Sequence, residues 1–236
     1  LMDFRLPSYL SLRYESEDEQ KYIVGLINQF QVAQENESYH LALFAYHLIF
    51  MIFVYQTIYK AKLWKSEQFS FAFTTSPADK RKQYKEAVSV YAFSDISERT
   101  VFELLNLFKE CELTVSKCKK QIIDYRNNNL GHATPYIVSE EEFEKKIEEY
   151  DQVALEIHQL IHDELVRVLA EYFESMDQEV EQTKDDVEIG LIVPNRLSDK
   201  DLELFASECS VIPNFKKKQI SKILQDDFGI HLELTK

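Results

Sequence analysis

The run from Leu41 to Tyr55, LALFAYHLIFMIFVY, constrains this chain more than any other segment. An unbroken apolar run has two homes, the hydrocarbon of a bilayer or the middle of a protein core. A bilayer needs roughly 20 such residues. This run is shorter, carries His47 at its middle and gives way to Gln56 and Thr57. The reading is a fully buried core helix, capped by Asn36 or Ser38 and running to about Trp64, with no membrane span.

The rest of the chain offers that helix other helices to pack against. Only four Gly and five Pro occur in 236 residues, between long stretches rich in Glu, Lys, Leu and Ala. Such scarcity of turn residues predicts an all-α fold, an antiparallel helical bundle, and a hydrophobic fraction of 45% supplies its core. Tyr22, Ile23, Leu26, Ile27 and Phe30 recur at helical spacing and predict a first helix over 17–34. A Phe- and Thr-rich segment, 66–76, interrupts the pattern, and a shorter helix follows over 79–93. One long helix is then expected from Ser94 or Ser97 to Arg126. Ser139 with Glu142 has the form of a capping box, and an apolar stripe from Phe143 through Tyr150, Ile157 and Ile161 to Tyr172 predicts one long helix ending near Met176. Residues 177–190 are acidic with few large apolar side chains and read as a linker. The division is thus a helical domain over 1–176, an acidic linker over 177–193 and a small C-terminal helical unit over 194–236, built from Leu197–Phe205 and Phe215–Phe228.

Charge is unevenly spread. The formal net charge is −14, yet residues 139–189 hold 18 acids and 4 bases, so the remainder is neutral overall and free to carry local basic patches. The acidic pI is weak evidence against a nucleic-acid partner. Three cysteines, Cys111, Cys118 and Cys209, are an odd number and do not suit a disulfide-stapled secreted domain. Cys111 and Cys118, seven apart on one expected helix, would stand roughly 10 Å apart, too far to bridge. Asp3 and Arg5 interrupt any apolar leader at the start. A reducing cytoplasm is the expected location.

The stretch with most chemistry in it is Arg126-Asn127-Asn128-Asn129-Leu130-Gly131-His132, a polar break between two long helical patterns. Arginine is always charged and matches phosphate oxygens with a planar fork, whereas histidine holds or releases a proton near neutral pH. Together they suit metal-independent phosphodiester cleavage by a ribose 2′-hydroxyl. His132 would serve as base, acid or hydrogen-bond donor, Arg126 would grip the developing charge, and Asn127 would orient either group. DNA, lacking that hydroxyl, would be inert. Lys117, Lys119 and Lys120 fall on the preceding turns with Arg126, predicting a locally positive, RNA-binding surface that also suits the helix C-terminus. Asn and Gly at 127–131 are expected to stop the helix near the arginine.

These residues resemble the Arg-spacer-His motif of HEPN domains, the all-helical "higher eukaryotes and prokaryotes nucleotide-binding" superfamily. Asn commonly follows the Arg in that family, as Asn127 does here, and Gly131 before His132 with Ala133 after it is a familiar variant. By helix pattern the resemblance covers about 17–176; its specific part is Tyr125 to Phe143. It implies an endoribonuclease acting as a homodimer that brings two copies of Arg126 and His132 to one cleft, in a defence or toxin-antitoxin setting with an antitoxin or regulatory partner. It implies no metal and no cofactor. Many members are RNases and some are not, so two other readings stand beside it. One is an inactive HEPN-like module that binds a nucleotide or a protein. The other is a structural helical dimerisation domain of a larger protein.

Other features carry less. His158 and His162 stand at metal-pair spacing, but HQLIH has Gln159 where the zinc-protease motif needs Glu, and partly buried structural histidines are expected. His40 and His47 read as core or interface residues, and Lys216, Lys217 and Lys218 as a solvated face. There is no GxxxxGK[ST] loop, GxGxxG fingerprint or internal repeat.

Overall fold

The computed structural model describes residues 5–13, 16–131, 136–176, 180–207 and 214–230, with the side chains at 205–207 and 214–217 left aside. The fold is all-α, and no strand occurs among the described residues. The chain forms two compact units: one comprises Leu1–Pro7 and Ser16–Ile161, the other Ser8–Glu15 and His162–Lys236.

In the larger unit helix α1 (Glu17–Glu35) packs along α2 (Tyr39–Trp64), and α7 (Glu140–Leu160) packs against α2 as well. Ser16 caps α1 by accepting from the Glu19 amide, and Ile23, Leu26 and Phe30 form its buried stripe. Asn36 caps the end of α1 instead of starting α2, donating from its side chain to the Val32 carbonyl at 2.7 Å. Helix α2 spans 26 residues, so by length and composition it is apolar and long enough to cross a bilayer. Its most apolar window is 78% buried inside the protein, which makes it the core element. Phe50 lies at its centre, with ring centroids 5.1 Å from Tyr150 and 6.2 Å from Phe102.

Two expected helices are broken. The 79–93 segment is α4 (Ala78–Lys85), with α3 (Ser66–Ala72) before it and a separate 3-10 turn, Val90–Phe93, after it. The long 94–126 helix is α5 (Glu98–Glu103), a 3-10 turn Leu104–Leu107, and then α6 (Glu112–Lys117). The side chain of Asn106 accounts for this second break: its amide donates to the Glu103 carbonyl at 3.1 Å and its oxygen accepts from the Cys111 backbone N–H at 3.0 Å. A side chain that offers the backbone local partners competes with the helix ladder. Cys111 therefore starts α6, and it and Cys118 are buried free thiols.

Beyond α6 the chain continues in wider π-type turns, Cys118–Ile123 and Arg126–Leu130. The helix thus continues in widened form through the asparagines at 127–129 instead of ending at the arginine. The chain remains right-handed through Gly131 (φ −86°), whose N–H donates to the Arg126 carbonyl at 2.7 Å across five residues.

The expected helix to Met176 stops at Leu160, a turn at Ile161 follows, and α8 (His162–Ser175) belongs to the smaller unit. Within the smaller unit the later part of the acidic stretch read as a linker, 184–193, is helical. Thr183 and Asp186 make a capping box for α9 (Lys184–Val187), followed by a π-type turn Glu188–Ile192 and α10 (Val193–Asn195). Val187, Leu191 and Ile192 are buried at helical spacing, an apolar face hidden in the sequence by the surrounding acids. Ser198 and Asp201 exchange backbone bonds of 2.7 and 3.1 Å at the start of α11 (Asp199–Ser207), and α12 (Asn214–Asp226) follows. Arg13 pairs with Asp199 at 2.6 Å and lies over the Phe228 ring.

Candidate functional site

Arg126 sits at the start of the second π-type turn, and three elements of the larger unit converge behind it. Glu98, in the first turn of α5, accepts from Arg126 Nη2 through Oε1. The same oxygen lies 3.2 Å from His47 Nε2 in the middle of α2. The other ring nitrogen, Nδ1, is 3.0 Å from the Tyr150 hydroxyl in the middle of α7. The order from outside inward is guanidinium, carboxylate, imidazole and phenol. Side-chain exposure falls from 28% at Arg126 to 19% at Glu98 and 2% at His47, so the arginine is the member a ligand can reach.

Electrostatics set the protonation pattern along this row. Burial raises the carboxyl pKa of Glu98, but the hydrogen bonds and charges of His47 and Arg126 outweigh it and hold the group below its ordinary value. Glu98 is therefore ionised at neutral pH. Burial, followed by the negative charge of Glu98, raises the Tyr150 phenol well above its ordinary value. The phenol keeps its proton and meets His47 Nδ1 at 3.0 Å. Tyr55 responds to the same causes and is pushed up to about 12.

The Arg126–Glu98 contact is a single hydrogen bond. Arg126 Nε and Glu98 Oε2 are buried without hydrogen-bond partners among the described residues. Gly131 lies beside the guanidinium, where a Cβ would stand 3.6 Å from Nη1 and 3.3 Å from the Arg126 carbonyl oxygen. Gly131 itself places no side chain over that edge of the arginine.

A second carboxylate, Glu142, joins two phenols, one on each side of the motif. Tyr125 donates to Glu142 Oε1 at 3.0 Å, and Tyr136 donates to the same oxygen. The expected capping box at 139/142 is thus half formed: Ser139 accepts from the Glu142 amide at 3.3 Å, while the Glu142 carboxylate serves the two phenols. Lys146 lies over the Tyr125 ring, 4.3 Å from its centroid.

His132 lies outside the described residues, so the geometry of the Arg126–His132 pair stays with the sequence reading. Asn127 is half-buried and makes no side-chain hydrogen bond among the described residues. The lysines depart from the expected positive surface. Lys117 is paired with Glu156, Lys119 with Glu103, and the neighbouring Arg99 with Asp124 at 2.5 Å, while Lys120 is exposed. Acids from α5, the helix bearing Asp124 and α7 neutralise what sequence proximity alone makes look basic.

Glu98, His47, Tyr150 and Glu142 were not picked out by sequence reasoning as site residues. One signal was available: a histidine inside a continuous apolar run needs a buried polar partner. His158 and His162 are both half-buried and fall on either side of the turn at Ile161. Among the described residues no group of three or more His, Cys, Asp or Glu side chains is placed to hold a metal ion. Comparison of the chain with family models, curated proteins and solved structures finds no match.

Proposed function

We propose that this chain is a HEPN-type endoribonuclease that cleaves RNA by 2′-hydroxyl attack without a metal or other cofactor. One observation carries the reading: Arg126 is held from behind by a half-buried carboxylate, yet is itself 28% exposed at the start of the turn that leads toward His132. Oriented positive charge is what a developing phosphorane requires, and a guanidinium already fixed in place loses little freedom when it binds one. Arg126 stabilises the non-bridging oxygens, His132 transfers the proton and Asn127 orients the reacting groups. Lys120 contributes to RNA binding; Lys117 and Lys119 do so only by leaving their acids. The active form is a homodimer with two motifs in one cleft, restrained by an antitoxin or regulatory partner in a reducing cytoplasm.

The test is incubation of end-labelled RNA with purified protein in excess EDTA, beside Arg126→Ala and His132→Ala variants of intact fold. Cleavage to 2′,3′-cyclic phosphate ends, abolished by both substitutions, is the expected result. Absence of cleavage by folded wild type across several RNAs overturns it.

A second reading draws on the same ion pair. Glu98 already neutralises the Arg126 charge, which suits a binding module that exchanges its internal carboxylate for a phosphate-bearing ligand and performs no chemistry. In that case Arg126→Ala abolishes binding with no cleavage to lose.

A further inference from the structure

A guanidinium and a carboxylate that meet freely engage fork to fork, through two parallel bonds. Glu98 and Arg126 do not: one oxygen of Glu98 serves both Arg126 and His47, while its other oxygen and Arg126 Nε are buried and unpartnered among the described residues. The carboxylate is positioned by the histidine as much as by the arginine. Behind it His47 is 2% exposed and is itself backed by the fully buried Tyr150.

Resting on the reading of Arg126 as a phosphate ligand, we infer that Glu98, backed by His47 and Tyr150, is a positioning residue that fixes the guanidinium at the expense of its affinity for phosphate. Two effects oppose each other at this one side chain. The ion pair restricts a flexible side chain to one orientation, which favours reaction. The same carboxylate lies across the guanidinium from any anion that binds its free edge, and like charges on opposite sides of one arginine repel. At about 7 Å in a half-buried site, with an effective dielectric near 20 and partial screening by solvent, that repulsion corresponds to roughly a tenfold loss of affinity.

The role separates binding from rate, which a merely structural residue does not do. Glu98→Gln keeps the size and a hydrogen-bond acceptor but removes the charge. Binding of a short all-2′-deoxy oligonucleotide, which cannot be cleaved by this route, should tighten about tenfold and be lost in Arg126→Ala. Single-turnover cleavage of the matching RNA at saturating enzyme should fall at least tenfold. Glu98→Asp retains the charge and should stay within about twofold of wild-type affinity while recovering part of the rate. Tyr150→Phe leaves the charge untouched and loosens only the backing, so it should lower the rate without tightening binding; it serves also if Glu98→Gln does not fold.

The inference is overturned if folded Glu98→Gln binds the deoxy oligonucleotide no more tightly than wild type, or if Tyr150→Phe changes neither rate nor affinity in an active enzyme. If the wild type cleaves no RNA while Glu98→Gln still binds more tightly, the ribonuclease reading fails and the role of Glu98 stands. If RNA is cleaved but the charge removal weakens binding, the role of Glu98 fails and the ribonuclease reading stands.

Discussion

Removal of a single oxygen atom measures how firmly the polar row is built into the core. In Tyr150→Phe the ring keeps its place against Tyr46 and Phe50, with centroids 5.5 and 5.1 Å away, so packing is almost unchanged. What disappears is the 3.0 Å bond to His47 Nδ1. With His47 2% exposed, no bulk water takes over that nitrogen. A hydrogen bond contributes about 1 kcal/mol net, and an orphaned buried polar atom costs about 1–3 kcal/mol, so the expected destabilisation is about 1–3 kcal/mol. At roughly 2–4 °C per kcal/mol for a chain of this size, the melting temperature should fall by about 2–12 °C. Urea unfolding followed by tryptophan fluorescence is the suitable assay. Trp64 is the only tryptophan; it lies at the end of α2 in the same unit, 6.4 Å from the Phe108 ring, and reports the unit that contains the row. The slope against denaturant should not change, because the surface exposed on unfolding is nearly the same. In a His47→Leu background the same substitution should cost about 1 kcal/mol less, since the two side chains share one bond. A loss under about 0.5 kcal/mol in the otherwise native protein refutes the claim that the phenol holds the imidazole.

Acid should act on the same row. The folded-state pKa of Glu98 is depressed, so the unfolded chain binds a proton first: the stabilisation is complete above the usual carboxylate value near 4.3 and is lost as pH falls through the lower folded value. Urea midpoints measured between about pH 6 and pH 3 should therefore fall more steeply for wild type than for Glu98→Gln, and parallel curves would refute this linkage. Burial pushes the Cys111 thiol up to about 11 and Cys118 up to about 12, leaving about one thiolate in a thousand or fewer at pH 8. In a Cys209→Ser background, labelling by a thiol reagent should follow unfolding, and rapid labelling of both thiols without denaturant would contradict their burial.

What could be read from the sequence was local. The apolar run could only be a core or membrane helix, and the stripe of Ile23, Leu26 and Phe30 assigned a buried face to α1 from spacing alone. What escaped depended on distant partners or on a side chain competing with the backbone. His47 meets a tyrosine 103 positions away, and Arg126 meets a glutamate 28 positions before it; no periodicity encodes either distance. Asn106 looked like an ordinary member of a long helix, yet its amide breaks that helix by bonding the backbone on both sides. Lys117 and Lys119 cluster along the chain, but whether they make a basic surface depends on where Glu156 and Glu103 come to rest. Arg126 stood out by its chemistry and the break around it; the residues that hold it did not.

The π-type turn at Arg126–Leu130 bears on how such a chain tolerates changes in length. A wide turn accommodates an extra residue inside a helix while the segments before and after it keep their packing. The number of residues following the arginine is thus separable from the register of the core, because a gain or loss of one position is absorbed as a change in helix width. A loop set into the chain in this way can vary in length without requiring the apolar faces of the neighbouring helices to be rewritten.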